Sequence, residues 1–208
     1  MITIWGGQTS RSIRAVWVLE EMGLPYQIRQ VDMLAPEPDP QFLAVNPAYY
    51  LPALQDGEVV MVESIAIMEY LMARYGPTPL APTPQSPDFP AYQQFLHLGE
   101  AGLATLMMPV VVSRFLAPEA ERENWGAAWC EQAFQKRLKL VSARLAASPY
   151  LAGETFTAAD ISVTYALGLG QRNCGLVLGD VEQAYMERTT GREAYKRAME
   201  RSFEGVDN

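Results

Sequence analysis

The sequence predicts an α/β N-terminal domain with the element order βαβ-ββα, followed by an all-helical domain. Three observations carry this expectation. The first thirty or so residues alternate between short strand-like and helical apolar patterns. Residues 46–76, NPAYYLPALQDGEVVMVESIAIMEYLMARYG, read as a turn, a strand, a tight turn, a second strand and a helix. Six of the 15 prolines (Pro77, Pro79, Pro82, Pro84, Pro87 and Pro90) then crowd into one stretch, after which every pattern is helical.

Ile2-Thr3-Ile4-Trp5 is short and alternating, as a strand is. Gly6-Gly7-Gln8-Thr9 is a loop, and Ser10 or Ser12 can cap the helix that follows. Ala15, Val18, Leu19 and Met22 form one apolar stripe with Ile13, Val16 and Trp17 beside it, so this helix is buried on most of its circumference. Gly23 ends it, and residues 26–31 return as a strand, completing a βαβ unit with a right-handed crossover. Residues 32–40 hold three prolines and are a loop, with a helical turn expected at 41–45. Leu51-Pro52 forces an extended or turn geometry just ahead of the strand Ala53-Leu54-Gln55. Asp56-Gly57 signals a hairpin to Glu58-Val59-Val60-Met61. The sets Ile65, Met68, Met72 and Ile67, Leu71, Tyr75 then recur at helical spacing until Gly76.

The expected boundaries are a first domain over 1–76, a linker over 77–90 and a helical domain over 91–208. Residues 91–116 read as a long helix kinked near 105–108 by Pro109, and residues 119–147 as a second, closed by Ser148-Pro149. Thr157-Ala-Ala-Asp160 is a capping box with aspartate as its acid, and Phe156 with Ile161 forms a hydrophobic staple. Helices over 181–186 and 192–201 finish the bundle.

Composition excludes several function classes. A formal charge of −8 argues against nucleic acid. Cys130 and Cys174 lie far apart, which suggests neither a disulfide framework nor a metal site. The one histidine, His97, sits in a helical pattern, so Ser/His/Asp chemistry has no second candidate. No run of 18 uninterrupted apolar residues points to a membrane span, and MITIWGG lacks the pattern of a secretion signal. A soluble cytoplasmic protein is expected.

With Leu51-Pro52 and Glu63-Ser64 at their spacing, and with residues 151–161 reading LAGETFTAADI, the chain resembles the cytosolic glutathione transferases, in particular serine/threonine-type, bacterial-like members. The resemblance runs from Ile2 to about Met199 and implies a thioredoxin-like first domain. It also implies that Leu51 and a cis Pro52 present backbone to the glutathione cysteine, and that Glu63 and Ser64 hold the γ-glutamyl end. The chemistry agrees: a helix N-terminus suits a carboxylate, and Glu63 can pair with an ammonium group. Glutathione is then the co-substrate, no metal is needed, and a homodimer is implied. The helix of Ile65, Met68, Met72 and Tyr75 also carries more apolar surface than one sheet face needs.

A transferase of this kind must favour the thiolate of a thiol whose ordinary pKa is about 8.5. In the family a tyrosine, a serine or threonine, or a cysteine stands at the site. Trp5 lacks a hydroxyl and residues 6–12 lack a cysteine, which leaves Thr9 or Ser10, five and four residues before Arg14. Where relatives carry glycine and a basic or amide residue, this chain has Tyr49 and Tyr50. Tyr50 can donate one hydrogen bond toward the glycine carboxylate of glutathione but brings no charge. A hydrophobic electrophile would meet Met107, Met108, Val111 and Phe115. The leading expectation is conjugation of glutathione to electrophiles, or peroxide reduction. The alternatives are a non-catalytic binding or assembly module, and a glutathione-dependent isomerase.

Overall fold

The structure, a computed structural model, describes residues 1–7, 10–122 and 124–204. The chain divides into two compact units, one of Met1–Thr78 with the chain from Gly191 onward, the other of Pro79–Thr190.

The first unit is a four-stranded sheet of order β2-β1-β3-β4. Strand β1 (Ile2–Gly6) is buried along its length and pairs parallel with β2 (Tyr26–Gln30), Ile4 opposite Ile28. On its other side β1 pairs antiparallel with β3 (Ala53–Asp56), Ile4 opposite Leu54, and β3 turns through Gly57 into β4 (Val59–Val62). With helices α1 (Ser12–Met22), α2 (Pro40–Val45) and α3 (Ser64–Tyr75), this is the thioredoxin-like βαβ-ββα order. Every residue of α1 from Ser12 to Leu19 is buried, as its two stripes require. Asp39 caps α2 by accepting from the Gln41 and Phe42 N–H groups at 2.8 and 3.4 Å. The apolar surplus expected on α3 is not there: Ile65, Met68 and Met72 are all buried within the unit, and Tyr75 alone of that set is exposed.

The second unit holds α4 (Phe89–His97), α5 (Thr105–Val111), α6 (Trp125–Leu145), α7 (Ala158–Cys174) and α8 (Asp180–Thr190). Leu80 is buried and its carbonyl accepts from the Ala158 N–H at 2.9 Å, so much of the proline-rich stretch expected to be a linker is fastened to the helical unit. The long apolar run departs from regular α-helix in two wider π-type stretches, Leu98–Ala104 and Val112–Leu116, that flank α5 and its Pro109. The expected single site of disturbance at 105–108 is instead regular helix. The first wide stretch has a nonlocal cause. Ser162 Oγ donates to the Leu96 carbonyl at 2.7 Å and lies where a Gly99 Cβ would stand, 2.3 Å away, so α7 intrudes into the helical ladder. Phe89–Leu116 is long and apolar enough to cross a bilayer, with a mean hydropathy of 1.6. Here it packs on α6 and α7.

Helix α9 (Glu193–Phe203) does not finish the bundle; it returns to α1. Arg192 grips Glu21 with two bonds of 2.6 and 2.7 Å, Arg197 reaches Glu20 at 2.7 Å, and Tyr195 meets the Trp17 ring edge-on at 4.7 Å. The helical unit therefore closes at Thr190, short of the 91–208 expected for it.

Candidate functional site

The candidate site lies in the first unit, where the ends of β1 and of the 46–52 loop meet the starts of α1 and α3. After β1 the chain turns at Gly7, whose φ of +117° favours glycine and whose missing side chain would collide with Gln30, 1.5 Å from its Oε1. Gly6 lies equally close to Ser12: a Cβ there would stand 2.2 Å from the Ser12 Cβ. This close approach lets Ser12 Oγ accept the Gly7 N–H at 2.9 Å while sitting 2.7 Å from Ser10 Oγ. Ser12 is fully buried and Ser10 only partly so. Ser10 also accepts loosely from the Ser12 N–H at 3.4 Å, so it caps the helix weakly at best. Thr9 lies outside the described residues.

Arg14 joins the two halves of the site. Its side chain is fully buried, and Nη1 donates to Ser64 Oγ at 3.1 Å, tying α1 to the first residue of α3. Sequence reasoning used Arg14 only to count register. Ser64 is 2% exposed and belongs to the first turn of α3, so it is not the cap. The cap position is Glu63, held at φ +72° with no side-chain bond to the helix, while its carbonyl accepts from Ile67 at 2.9 Å. A non-glycine residue in that region is strained. The strain turns the Glu63 side chain out and leaves the first N–H groups of α3 without a side-chain acceptor from the cap.

The loop that faces α3 is braced by Asn46, which donates to the Tyr50 carbonyl at 2.7 Å and accepts from Ala48 at 3.1 Å. Leu51-Pro52 is cis, with Pro52 buried against the start of β3. Tyr49 is structural: its hydroxyl accepts from the Asp39 N–H at 2.8 Å and its ring packs 5.3 Å from Phe42. Tyr50 is exposed and its hydroxyl donates to Glu63 Oε1 at 3.1 Å. Desolvation first, then the Glu63 carboxylate, hold the Tyr50 phenol above its ordinary range, so it stays a donor at neutral pH.

Of the expected electrophile residues, Met108, Val111 and Phe115 fall on one helical face, with Met108 and Phe115 exposed. Met107 departs from them. It is 2% exposed and lines a half-open pocket of about 630 Å³ with Phe134 and Cys174. Neighbouring helical positions point about 100° apart, so Met107 and Met108 cannot share one surface patch.

Residues 1–73 match the profile of the glutathione S-transferase N-terminal domain. The Escherichia coli (strain K12) protein Glutathione S-transferase GstB is 30% identical over 172 residues, covering 78% of this chain and 80% of that one. The chain belongs to the glutathione S-transferase family. Glutathione S-transferase 3 of Schizosaccharomyces pombe is 28% identical over 184 residues, with 83% of this chain and 76% of that one covered. Among solved structures, the theta class glutathione S-transferase from Xanthomonas axonopodis pv. citri with glutathione bound superposes with a TM-score of 0.80 at 31% identity, over 95% of this chain and 96% of that one. In this member of the family the residues singled out by the resemblance fall near the starts of α1 and α3. Ser12, expected as a possible cap, is instead the first residue of α1, and its hydroxyl accepts from the Gly7 N–H. The Arg14–Ser64 bond was not foreseen, its only sequence signal being a polar residue inside the apolar pattern of α1. No group of three or more His, Cys, Asp or Glu that could hold a metal ion occurs among the described residues.

Proposed function

We propose that this protein is a glutathione transferase that binds glutathione along the starts of α1 and α3 and attacks apolar electrophiles with its thiolate. The observation that carries the reading is the start of α3. It has no side-chain cap, has Ser64 anchored by a buried arginine, and has an outward carboxylate at Glu63. Free N–H groups and the helix dipole there suit the γ-glutamyl carboxylate. Glu63 faces the ammonium, and the Leu51-Pro52 backbone meets the cysteine. Ser10 lies at the start of α1, where a hydroxyl proton and the helix dipole both favour thiolate over thiol. In the reaction the thiol gives up its proton and sulfur forms a bond to the electrophilic carbon. The leaving group, where there is one, departs with its electron pair. On a peroxide the thiolate sulfur bonds to one oxygen as the O–O bond breaks. The sulfur is oxidised to a sulfenic acid, and the other oxygen leaves with the electron pair and takes up the proton as an alcohol.

A cytoplasmic homodimer is part of the proposal. Trp125 and Trp129, one helical turn apart on α6 and 80% and 50% exposed, give it an apolar surface to cover.

One observation favours a second reading. The Tyr50 hydroxyl is bonded to the Glu63 carboxylate and the Tyr49 hydroxyl to the Asp39 N–H, and a phenol brings no cation to the glycine end of glutathione. A binding module would show that pattern, and so would an isomerase that uses glutathione differently. Retention on immobilised glutathione followed by turnover of an aryl halide separates them. Retention with turnover supports the transferase. Retention with no turnover of any electrophile class favours the module, and no retention overturns the site itself.

A further inference from the structure

We propose that Ser12 is a positioning residue for Ser10: its buried hydroxyl donates to Ser10 Oγ and so turns the Ser10 proton outward, toward the glutathione sulfur. The inference rests on the site reading given above and adds a second hydroxyl behind the first.

Ser12 Oγ has a hydrogen-bond donor on one side, the Gly7 N–H at 2.9 Å, and Ser10 Oγ at 2.7 Å on the other. With the Ser12 side chain fully buried, its proton needs an acceptor, and Ser10 Oγ is the one the structure gives it. Run the other way, the bond would consume the only proton of Ser10 and leave that of the fully buried Ser12 without an acceptor among the described residues. The favoured direction makes a chain, Gly7 N–H to Ser12 Oγ–H to Ser10 Oγ–H. Each bond polarises the next, and the last proton emerges at the partly exposed member. The Ser12 N–H, 3.4 Å from Ser10 Oγ, adds a weaker push in the same direction. Gly6 permits the arrangement, because any Cβ there would displace Ser12.

The test is ultraviolet titration of the thiolate of bound glutathione in the wild type, Ser10→Ala, Ser12→Ala and the double variant. Ser10→Ala should raise the thiol pKa by roughly one to two units, as the loss of one charge-assisted bond does. Ser12→Ala should raise it by about 0.1–0.6 unit, the share expected of a cooperative neighbour. The double variant should match Ser10→Ala alone, since Ser12 acts only through Ser10. Ser12→Cys, whose thiol donates poorly, should move the pKa the same way and serves if Ser12→Ala does not fold. If Ser12 merely shapes the loop, its variants lower the melting temperature or glutathione affinity equally in both backgrounds, with the thiol pKa unmoved. That result overturns the inference and leaves the transferase reading standing, as does an additive double variant. A wild type that fails to bind glutathione overturns the reading on which the inference rests. Binding with no shift in Ser10→Ala removes Ser10 as activator, and Ser12 with it.

Discussion

Two helix starts in this molecule are built in opposite ways. At α7 the chain seals the end. The Thr157 N–H donates to Asp160 Oδ2 at 2.8 Å in a capping box, and the Leu151 N–H donates to Oδ1 at 2.9 Å. The Thr157 and Tyr185 hydroxyls add bonds of 3.2 Å each, and Asp160 is fully buried under them. At α3 the chain leaves the end open, with a strained, exposed Glu63 at the cap and a buried arginine tethering Ser64 from behind. Both starts carry an acid and a hydroxyl within a few residues. What differs is whether these groups face inward to the backbone or outward. A sealed start stabilises its own unit, whereas an open one retains positive potential for a ligand.

The comparison is broken most sharply at Asp160. Asp160→Ala strands two buried N–H donors and takes an acceptor from the Thr157 hydroxyl, while Tyr185 keeps the residue 160 carbonyl at 3.3 Å; each unsatisfied N–H costs about 1–3 kcal/mol. Denaturant unfolding should show a loss of about 3–5 kcal/mol. This exceeds an ordinary cap loss of about 0.5–2 kcal/mol, the figure expected for Thr157→Ala. Glutathione affinity of the folded variant should be unchanged. A folded Asp160→Ala protein that no longer binds glutathione would contradict the division of labour.

The same carboxylate gives a pH signature. Burial raises the Asp160 pKa to about 6 from an ordinary 3.8, against the pull of its hydrogen bonds. The folded state therefore holds this proton more tightly than the unfolded chain does. That stabilisation is full below about pH 4 and is lost as pH rises through about 6. Asp160→Asn does not titrate there, so the stability of wild type relative to Asp160→Asn should fall between pH 4 and pH 7, by up to about 3 kcal/mol. A difference that stays flat would mean that the four donors keep the carboxylate ionised throughout.

At the open start the readout changes from stability to affinity. Ser64→Ala removes the hydroxyl that Arg14 steadies and that faces the γ-glutamyl carboxylate in the proposed pose. A hydrogen bond to a charged group is worth about 1.5–3 kcal/mol, so calorimetry should find glutathione bound roughly tenfold to a hundredfold more weakly. Stability should fall by only about 1 kcal/mol, the net worth of one internal bond. Unchanged affinity would reduce Ser64 to a packing residue and make the two starts alike.

What could be read beforehand divides along the same line of local against distant causes. The βαβ-ββα order, the Asp56-Gly57 hairpin and the Thr157/Asp160 box each depend on residues close in sequence, and all three are in the structure. The return of α9 to α1 depends on Glu20 and Glu21 finding Arg197 and Arg192 across more than 170 positions, and no local pattern announces it. The π-type stretch at Leu98–Ala104 likewise needs Ser162, from another helix. At the site, Leu51-Pro52 and Glu63-Ser64 were legible as a spacing. The inward turn of Ser12 and Arg14 was not, because a polar residue in an apolar helical pattern shows its direction only once its partner is in place.

The smallest effect sharpens the comparison at its weakest contact. Tyr50 donates to Glu63 Oε1 at 3.1 Å from an exposed position, so the bond is made in competition with water. Two roles compete for the phenol: partner of Glu63 in the empty site, or donor to the glycine carboxylate once glutathione is bound. In either case forming the second contact breaks the first, and the net gain is the difference between two exposed bonds. Tyr50→Phe should therefore change glutathione affinity by less than about threefold and stability by no more than about 0.5 kcal/mol. It should also free Glu63 for the ligand ammonium, which pushes affinity slightly upward. A tenfold loss of affinity in Tyr50→Phe would show instead that the phenol holds the glycine end, doing with one neutral donor what a basic residue would otherwise do.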